Sequence, residues 1–402
     1  MHNIFFILFL ILNQMTQAQI TTGVWRAELE TPGGPLPFNF EISLTTNGYA
    51  FALHNGDELL STAEVTVDDN TLYVNLPVFN SSINAEISTD YNNLSGWFHD
   101  YSRGSKYAIP FTAKAGESYR FMKNPDSAQF NISGKWNTQF KTVDQSYQAV
   151  GVFTQTGNLL NGTFLTATGD YRYLQGDVSG NQFFLSTFDG AHAFLFTGNI
   201  ENDSTLSGKF FSGNHWQETF SADKNDTIQL PDPNTLTYLK DGYDSFNFCF
   251  PTATGDTICS SDKQFQNKVV IIQVMGTWCP NCMDETAYLA ELFQKYNSQG
   301  LEIVALAFEK ETDQTAASKN FGRLRKQFGI TYPILLAGSS KKLEASNALP
   351  MLNAVIAYPT LIVLDRNKQV VFIHTGFNGP ATGDLYSAFS KEFQQKIQQL
   401  LN

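Results

Sequence analysis

Two cysteines separated by two residues follow an apolar run in the second half of the chain. The run, residues 269–275, predicts a buried strand, and Cys279 and Cys282 come directly after it. A thiol at the start of a helix lies beside unpaired backbone N–H groups that stabilise a thiolate, and a second thiol one turn later can resolve a mixed disulfide. The pair therefore predicts disulfide exchange, with Cys279 as nucleophile and Cys282 as resolving thiol. Apolar residues recur after the pair at steps of three and four, which predicts that helix: Leu289, Leu292, Phe293 and Tyr296.

A Cys-x-x-Cys pair can also form part of a zinc site or a purely structural disulfide. Structural zinc requires about four ligands, but the only other cysteines are Cys249 and Cys259, and no paired histidines accompany them. We therefore expect no metal and no other cofactor. A purely structural disulfide would not need a position between a strand and a helix. The context favours a redox-active pair.

The composition and the first residues bear on partners and location. A formal net charge of −12 argues against binding to nucleic acid. Residues 4–12 form a nine-residue apolar run, which is too short to span a bilayer but typical of a signal-peptide core. We expect a signal peptide over residues 1–18 and export to the periplasm, either as a soluble protein or held by an uncleaved signal sequence.

The first half of the chain contains a repeat. Gly23-Val24-Trp25 and Gly134-Lys135-Trp136 share a Gly-x-Trp pattern 111 residues apart, and later landmarks recur at nearly the same spacing. Short alternating segments separated by Asn-Gly turns predict strands. We predict two antiparallel β-rich units, each a barrel or sandwich, over residues 19–125 and 126–226. A polar, proline-bearing linker is expected over residues 227–245.

The role of the β-rich units is open from sequence. Their aromatic side chains could form a face that binds a ligand or partner, or could fill the barrel cores. The residues considered for such a face are Tyr171, Tyr173, Trp97 and Trp216.

Residues 246–402 alternate between strand and helix patterns and predict an α/β domain. This region resembles the thioredoxin superfamily and, within it, the exported TlpA/ResA-type thiol–disulfide oxidoreductases. The resemblance implies that Pro359 is cis and faces the cysteines, that Trp278 packs beside the sulfurs, and that Pro280 occupies the first helical turn. It is carried by residues 276–282, Glu285, residues 300–305 and residues 358–360.

One position departs from thioredoxin itself, which has a buried aspartate six residues before its first active-site cysteine. Here that position is Gln273, which cannot act as a base. Glu309, at the end of the strand over residues 301–308, is the candidate to replace it, and the alternative is a solvated glutamate in a charged cluster. Cys249 and Cys259 lie on the two arms of a predicted hairpin, which favours a structural disulfide over a second redox couple.

Three functions compete with disulfide exchange by a reductant. A peroxiredoxin would need a hydroxyl residue three positions before its cysteine, where this chain has Gly276. A disulfide isomerase cannot be separated from a reductase by sequence. A non-enzymatic binding protein would use the β-rich units. We expect protein disulfides or dithiols as substrates and a membrane thiol transporter as electron donor.

Overall fold

The computed structural model describes residues 20–402, without the side chain of Ala63. The predicted signal peptide lies outside this range. The first unit is a closed barrel in which each strand pairs antiparallel with the next and β8 pairs with β1. Side chains alternate along the first strand, so that Trp25, Ala27 and Leu29 point into the core while the residues between them face outward. Its strands are β1 (Gly23–Thr31), β2 (Gly34–Thr45), β3 (Gly48–Asn55), β4 (Glu58–Asp68), β5 (Thr71–Asn75), β6 (Ser81–Ile87), β7 (Asn93–Asp100) and β8 (Ala108–Ala115).

The second unit is also a closed antiparallel barrel of eight strands, with one short additional strand. The ring closes because β10 pairs with both β9 and β11, while β12 pairs only with the end of β11. Its core is rich in phenylalanine. The strands are β9 (Gly134–Lys141), β10 (Ser146–Thr156), β11 (Leu159–Thr166), β12 (Gly169–Asp170), β13 (Leu174–Ser179), β14 (Gln182–Phe188), β15 (Ala193–Asn202), β16 (Thr205–Ser212) and β17 (Trp216–Lys224).

The predicted pair of β-rich units is confirmed, and both units are barrels. The repeated tryptophans are equivalent: Trp25 Nε1 donates to the carbonyl of Thr21 at 3.0 Å, and Trp136 Nε1 donates to that of Ile132 at 2.9 Å. Both tryptophans are fully buried. The Gly-x-Trp pattern therefore lies at the start of the first strand of each barrel, where its tryptophan is buried in the core.

The C-terminal domain has the predicted thioredoxin-like architecture. A five-stranded sheet in the order β22-β21-β20-β23-β24 is preceded by the small hairpin β18–β19. No helix within residues 20–402 is long and apolar enough to cross a bilayer. The elements are α1 (Pro233–Leu236), β18 (Cys249–Pro251), β19 (Thr257–Cys259), β20 (Val269–Met275), α2 (Pro280–Tyr296), β21 (Leu301–Glu309), α3 (Gln314–Phe328), β22 (Ile334–Ser339), α4 (Lys342–Ala348), β23 (Thr360–Leu364), β24 (Val370–Thr375) and α5 (Asp384–Leu401).

The segment expected to be a linker, residues 227–245, is docked on the C-terminal domain. The hydroxyl of Thr237 accepts from that of Thr375 at 2.8 Å, and the backbone N–H of Lys240 donates to the carbonyl of Met351 at 2.9 Å. Leu239 and Leu352 form an isolated β-bridge. The polar composition of residues 227–245 is typical of a flexible linker, but polar groups of this segment form hydrogen bonds with the surface of the C-terminal domain.

The C-terminal domain packs directly on both barrels. Val78 and Phe79, from the β5–β6 connection, and Ala191, from the β14–β15 connection, belong to the same apolar cluster as the central sheet. The guanidinium of Arg323 on α3 donates to the side chain of Asn80 at 2.9 Å. The equivalent ends of the two barrels therefore support the redox domain.

Candidate active site

The two cysteines lie at the junction of β20 and α2. Cys279 is the N-cap of α2, and its Sγ accepts from the backbone N–H of Cys282 at 3.2 Å. The two residues are joined by a disulfide. Cys282 is fully buried, and Cys279 is only 5% exposed. A thiolate formed on Cys279 would lie at the positive end of a helix, which stabilises it.

The Tyr358–Pro359 turn, Trp278 and Pro280 surround Cys279. The Tyr358–Pro359 peptide bond is cis, and the carbonyl of Tyr358 lies 3.3 Å from Cys279 Sγ. Trp278 Nε1 donates to the carbonyl of Phe308 at 2.9 Å, which fixes the indole edge-on to the Tyr358 ring at 5.5 Å. Pro280 occupies the first turn of α2, where no N–H is needed.

Glu285 is a buried carboxyl behind the cysteines. It lies three residues after Cys282, a spacing that places two side chains on neighbouring positions of one helix face. Neither carboxyl oxygen has a hydrogen-bond partner within the described residues, and the side chain is fully buried. Burial raises the pKa of Glu285 to about 8, although the nearby Gln273 amide lowers it slightly. This carboxyl is therefore a candidate proton carrier for the Cys282 thiol on the same helix.

Glu285→Gln should flatten the dependence of stability on pH. The folded protein keeps a proton on Glu285 up to about pH 8, whereas the unfolded chain releases it near 4.5. Stability therefore falls as the pH rises between these values, because only the native state still binds that proton. Thermal midpoints measured from pH 5 to 9 should show a smaller fall in the variant. Glu291→Gln, on an exposed part of the same helix, is the control, and an unchanged slope in Glu285→Gln would contradict the assignment.

Glu309 is not the solvated glutamate of the alternative interpretation. It is 1% exposed and accepts from the backbone N–H of Thr277 at 2.8 Å and from the hydroxyl of Thr277 at 2.5 Å. Asn320 donates a third hydrogen bond at 3.3 Å. Its role in proton transfer stays a prediction, but these bonds make it a support for the turn before the cysteines.

Gln273 links the central strand to the redox helix. Its Nε2 donates to the carbonyl of Cys282 at 3.3 Å and to the hydroxyl of Thr286 at 3.1 Å, while its Oε1 accepts from that hydroxyl at 3.2 Å. At the position where thioredoxin has an aspartate, this chain therefore has a glutamine that joins strand β20 to helix α2 by hydrogen bonds.

Cys249 and Cys259 are directly opposite in the β18–β19 register and form the second disulfide. Neither residue lies at a helix start. Within residues 20–402, no group of three or more His, Cys, Asp or Glu side chains is arranged so that it could hold a metal ion.

The double variant Cys249→Ser/Cys259→Ser should lose stability and keep disulfide exchange. Closing a loop of this length stabilises a protein by about 3 kcal/mol in the chain-entropy model. The loss should appear as a lower thermal midpoint, while the exchange rate of the Cys279 pair stays the same. A large loss of exchange activity would instead indicate a relay between the two pairs.

The barrels complete the surroundings of the redox pair, which the sequence did not predict. Arg172, between β12 and β13, donates to the carbonyl of Pro280 at 3.2 Å and pairs with Asp284 of α2 at 2.6 Å. It also pairs with Asp189 at 3.2 Å and with Glu58 of the first barrel. One buried guanidinium thus joins both barrels to the redox helix.

The four aromatic residues that could form a binding face differ in their exposure: two are exposed and two are partly buried. Trp97 and Trp216 are about half exposed. Tyr171 packs against the core of the second barrel, with its hydroxyl 2.6 Å from that of Tyr147. Tyr173 is partly buried. The four do not share one exposed face.

Comparison with known proteins agrees with this geometry. The Redoxin family model matches residues 242–388. The thiol-disulfide oxidoreductase ResA of Bacillus subtilis (strain 168) is 30% identical over 138 residues, which cover 34% of this chain and 69% of that protein. ResA of Bacillus thuringiensis subsp. konkukian is 32% identical over 109 residues, 27% of this chain and 56% of that protein.

A solved structure from Chlorobium tepidum, a putative thiol:disulfide interchange protein DsbE, aligns with 21% identity and a TM-score of 0.32. The alignment covers 41% of this chain and all of that one. A score this low supports no conclusion about function.

The fold and the cysteine pair define a thiol–disulfide oxidoreductase of the thioredoxin superfamily. Through its C-terminal domain, the chain belongs to the ResA-type family of these enzymes. The chain spans 69% of the length of the first of these ResA proteins and 56% of that of the second.

Proposed function

We propose that the protein is an exported reductant of protein disulfides. The observation that supports this most is the position of Cys279 Sγ, which accepts from the backbone N–H of Cys282 at the start of α2 and lies 3.3 Å from the carbonyl before the cis-proline. A thiolate held there can attack a disulfide, and the adjacent backbone edge can align the attacked chain. Cys279 is the catalytic nucleophile in this proposal, and Cys282 is the resolving thiol.

The reaction transfers two electrons in two exchange steps. The Cys279 thiolate attacks one sulfur of the substrate disulfide, forming a mixed disulfide and releasing the other substrate sulfur as a thiolate. Cys282, after losing its proton, attacks Cys279 Sγ and releases the second substrate thiolate. The substrate gains two electrons and two protons, and the enzyme is left with the Cys279–Cys282 disulfide. A dithiol donor restores the enzyme by the same steps in reverse.

The raised pKa of Glu285 supports this sequence of steps. Attack by Cys282 requires a thiolate in a fully buried position, where water cannot accept its proton. Glu285 is the unpartnered carboxyl on the same helix face, and its ionised form, whose fraction grows as the pH rises towards its pKa, can accept that proton as Cys282 reacts. Its pKa of about 8 is close to that of an ordinary thiol, which keeps the transfer nearly balanced.

Export and the electron donor belong to the same proposal. The apolar run over residues 4–12 has the length of a signal-peptide core. An exported reductant needs electrons from inside the cell, so a membrane thiol transporter is the proposed donor.

Peroxidase chemistry is less well supported. The residue three positions before Cys279 is Gly276, and the nearby hydroxyl of Thr277 is already bonded to Glu309. No described hydroxyl side chain is thus positioned by that motif to bind a peroxide beside Cys279.

The proposal is tested by the reduction of insulin and of a small aromatic disulfide, with dithiothreitol as donor. The background is Cys249→Ser/Cys259→Ser, so that a single redox pair is measured. We expect catalysis above the dithiothreitol rate for at least the small disulfide, and its loss in Cys279→Ser. Equal rates with and without the protein for both substrates would contradict the proposal.

A further inference from the structure

The second barrel carries a segment that the first barrel lacks. In the first barrel, β3 and β4 are joined by the two residues Gly56 and Asp57, whereas the equivalent strands β11 and β13 are joined by residues 167–173. This segment, called the insert loop below, includes β12. Since the first barrel closes without it, the insert loop is not needed to form a barrel.

The insert loop lies on the face of the redox domain beside the cysteines. The side-chain amide of Asn281, between Cys279 and Cys282, donates to the backbone carbonyl of Asp170 at 3.0 Å. The backbone N–H of Gly379 donates to the carboxylate of Asp170 at 2.6 Å. At Gly169, a Cβ atom would lie 2.5 Å from the Asn281 amide nitrogen, so only glycine permits this approach.

The insert loop is held in place by the buried ion pairs of Arg172. Arg172, near the end of the loop, has a left-handed backbone conformation and is 4% exposed. Its guanidinium is held by Asp284, Asp189 and Glu58, which come from the redox helix and from both barrels. A segment held by buried charges on three sides has little freedom to swing away.

Between the insert loop and the redox domain lies a cleft of about 250 Å³ that leads to Cys279. Thr168, Tyr171 and Phe194 line it on the barrel side, and Trp278 and Tyr358 line it on the other. Cys279 lines the same cleft and is only 5% exposed. An extended chain can enter such a cleft, whereas the surface of a folded protein meets the barrel first.

We propose that the insert loop is a size filter that selects disulfides carried by extended, unfolded segments and excludes those on folded surfaces. The inference rests on the proposed function, because it assigns the substrate class of the same cysteine pair. Residues 167–173 determine specificity through steric exclusion and take no part in the exchange steps.

The test compares two maleimides on the reduced protein, in the Cys249→Ser/Cys259→Ser background. One is N-ethylmaleimide, and the other is a maleimide attached by a short linker to the surface of folded ubiquitin. The measured quantity is the ratio of their rates with Cys279. Gly169→Val, which pushes the loop off Asn281, should raise the relative rate of the ubiquitin reagent by roughly ten-fold.

Two further variants make the result decisive. Gly157→Val is the matched control, because Gly157 also has a positive φ in the second barrel but has no atom near its Cβ position. Asp170→Ala removes the bond to Gly379 by a different route and should shift the ratio in the same direction. An unchanged ratio in both loop variants would overturn the size filter, even if the protein reduces small disulfides. Failure to reduce small disulfides would contradict the proposed function, while the maleimide ratio would still test the filter.

Discussion

Cys282→Ser is expected to accumulate a covalent complex in which Cys279 stays joined to its substrate. The first exchange step needs only the Cys279 thiolate at the start of α2, which the variant keeps. The second step needs the sulfur one turn further along, which the variant lacks. Turnover should fall by more than about a thousand-fold, the scale of losses when a covalent-catalysis residue is removed.

The trapped complex is measured by non-reducing electrophoresis and mass spectrometry after incubation with an unfolded disulfide substrate. The matched control is Cys279→Ser, which loses turnover equally but should form no complex, because Cys282 is fully buried. Complex formation through Cys282 in that control, or normal turnover in Cys282→Ser, would contradict the assigned roles.

Arg172→Met is expected to give the largest loss of stability among single substitutions at the barrel–redox junction. The guanidinium is the shared partner of Glu58, Asp189 and Asp284, and the first two carboxylates are buried. Removing one partner of a buried ionic group typically costs about 3–5 kcal/mol, because uncompensated charge stays buried. Burial raises the pKa of Asp284 to about 7. The nearby negative charges of Asp170 and Glu58 also raise it, whereas Arg172 lowers it.

The loss is measured as a shift in the thermal midpoint and as protease sensitivity of the junction. Lys326→Met provides the control, since Lys326 also joins a barrel to the redox domain, through Glu64, but both side chains are largely exposed. Exposed ion pairs contribute little to stability, so the control should change the midpoint only slightly. Equal shifts in the two variants would contradict the central role of Arg172.

The elements that depend on local pattern were predictable. The strand at residues 269–275 and the helix after the cysteines follow from an apolar run and a three- and four-residue repeat, and both occur where predicted. The two β-rich units followed from the spacing of Trp25 and Trp136. Helix α3 begins at Gln314 because the Asp313 side chain accepts from the backbone N–H of Ala316.

The features that depend on long-range packing were not predictable. A glutamate at the end of a strand, such as Glu309, is expected to be solvated. Its burial is explained only by the hydrogen bonds that it accepts from Thr277. The motif alone does not predict that Glu285 is buried, whereas its position on a helix face that also carries Leu289 and Leu292 does. The contact of Arg172 with α2 joins residues more than a hundred positions apart, which no local pattern encodes.

The most direct test of the central claim is the reduction potential of the Cys279–Cys282 couple. The Cys249→Ser/Cys259→Ser protein is equilibrated in dithiothreitol or glutathione buffers, and the fraction of reduced Cys279 is read by alkylation and mass spectrometry. We predict a reversible two-electron couple near that of thioredoxin, about −270 mV, as a reductant requires. A value near −120 mV would reverse the proposed direction of electron flow. The absence of any reversible couple would contradict disulfide exchange as the function of this site.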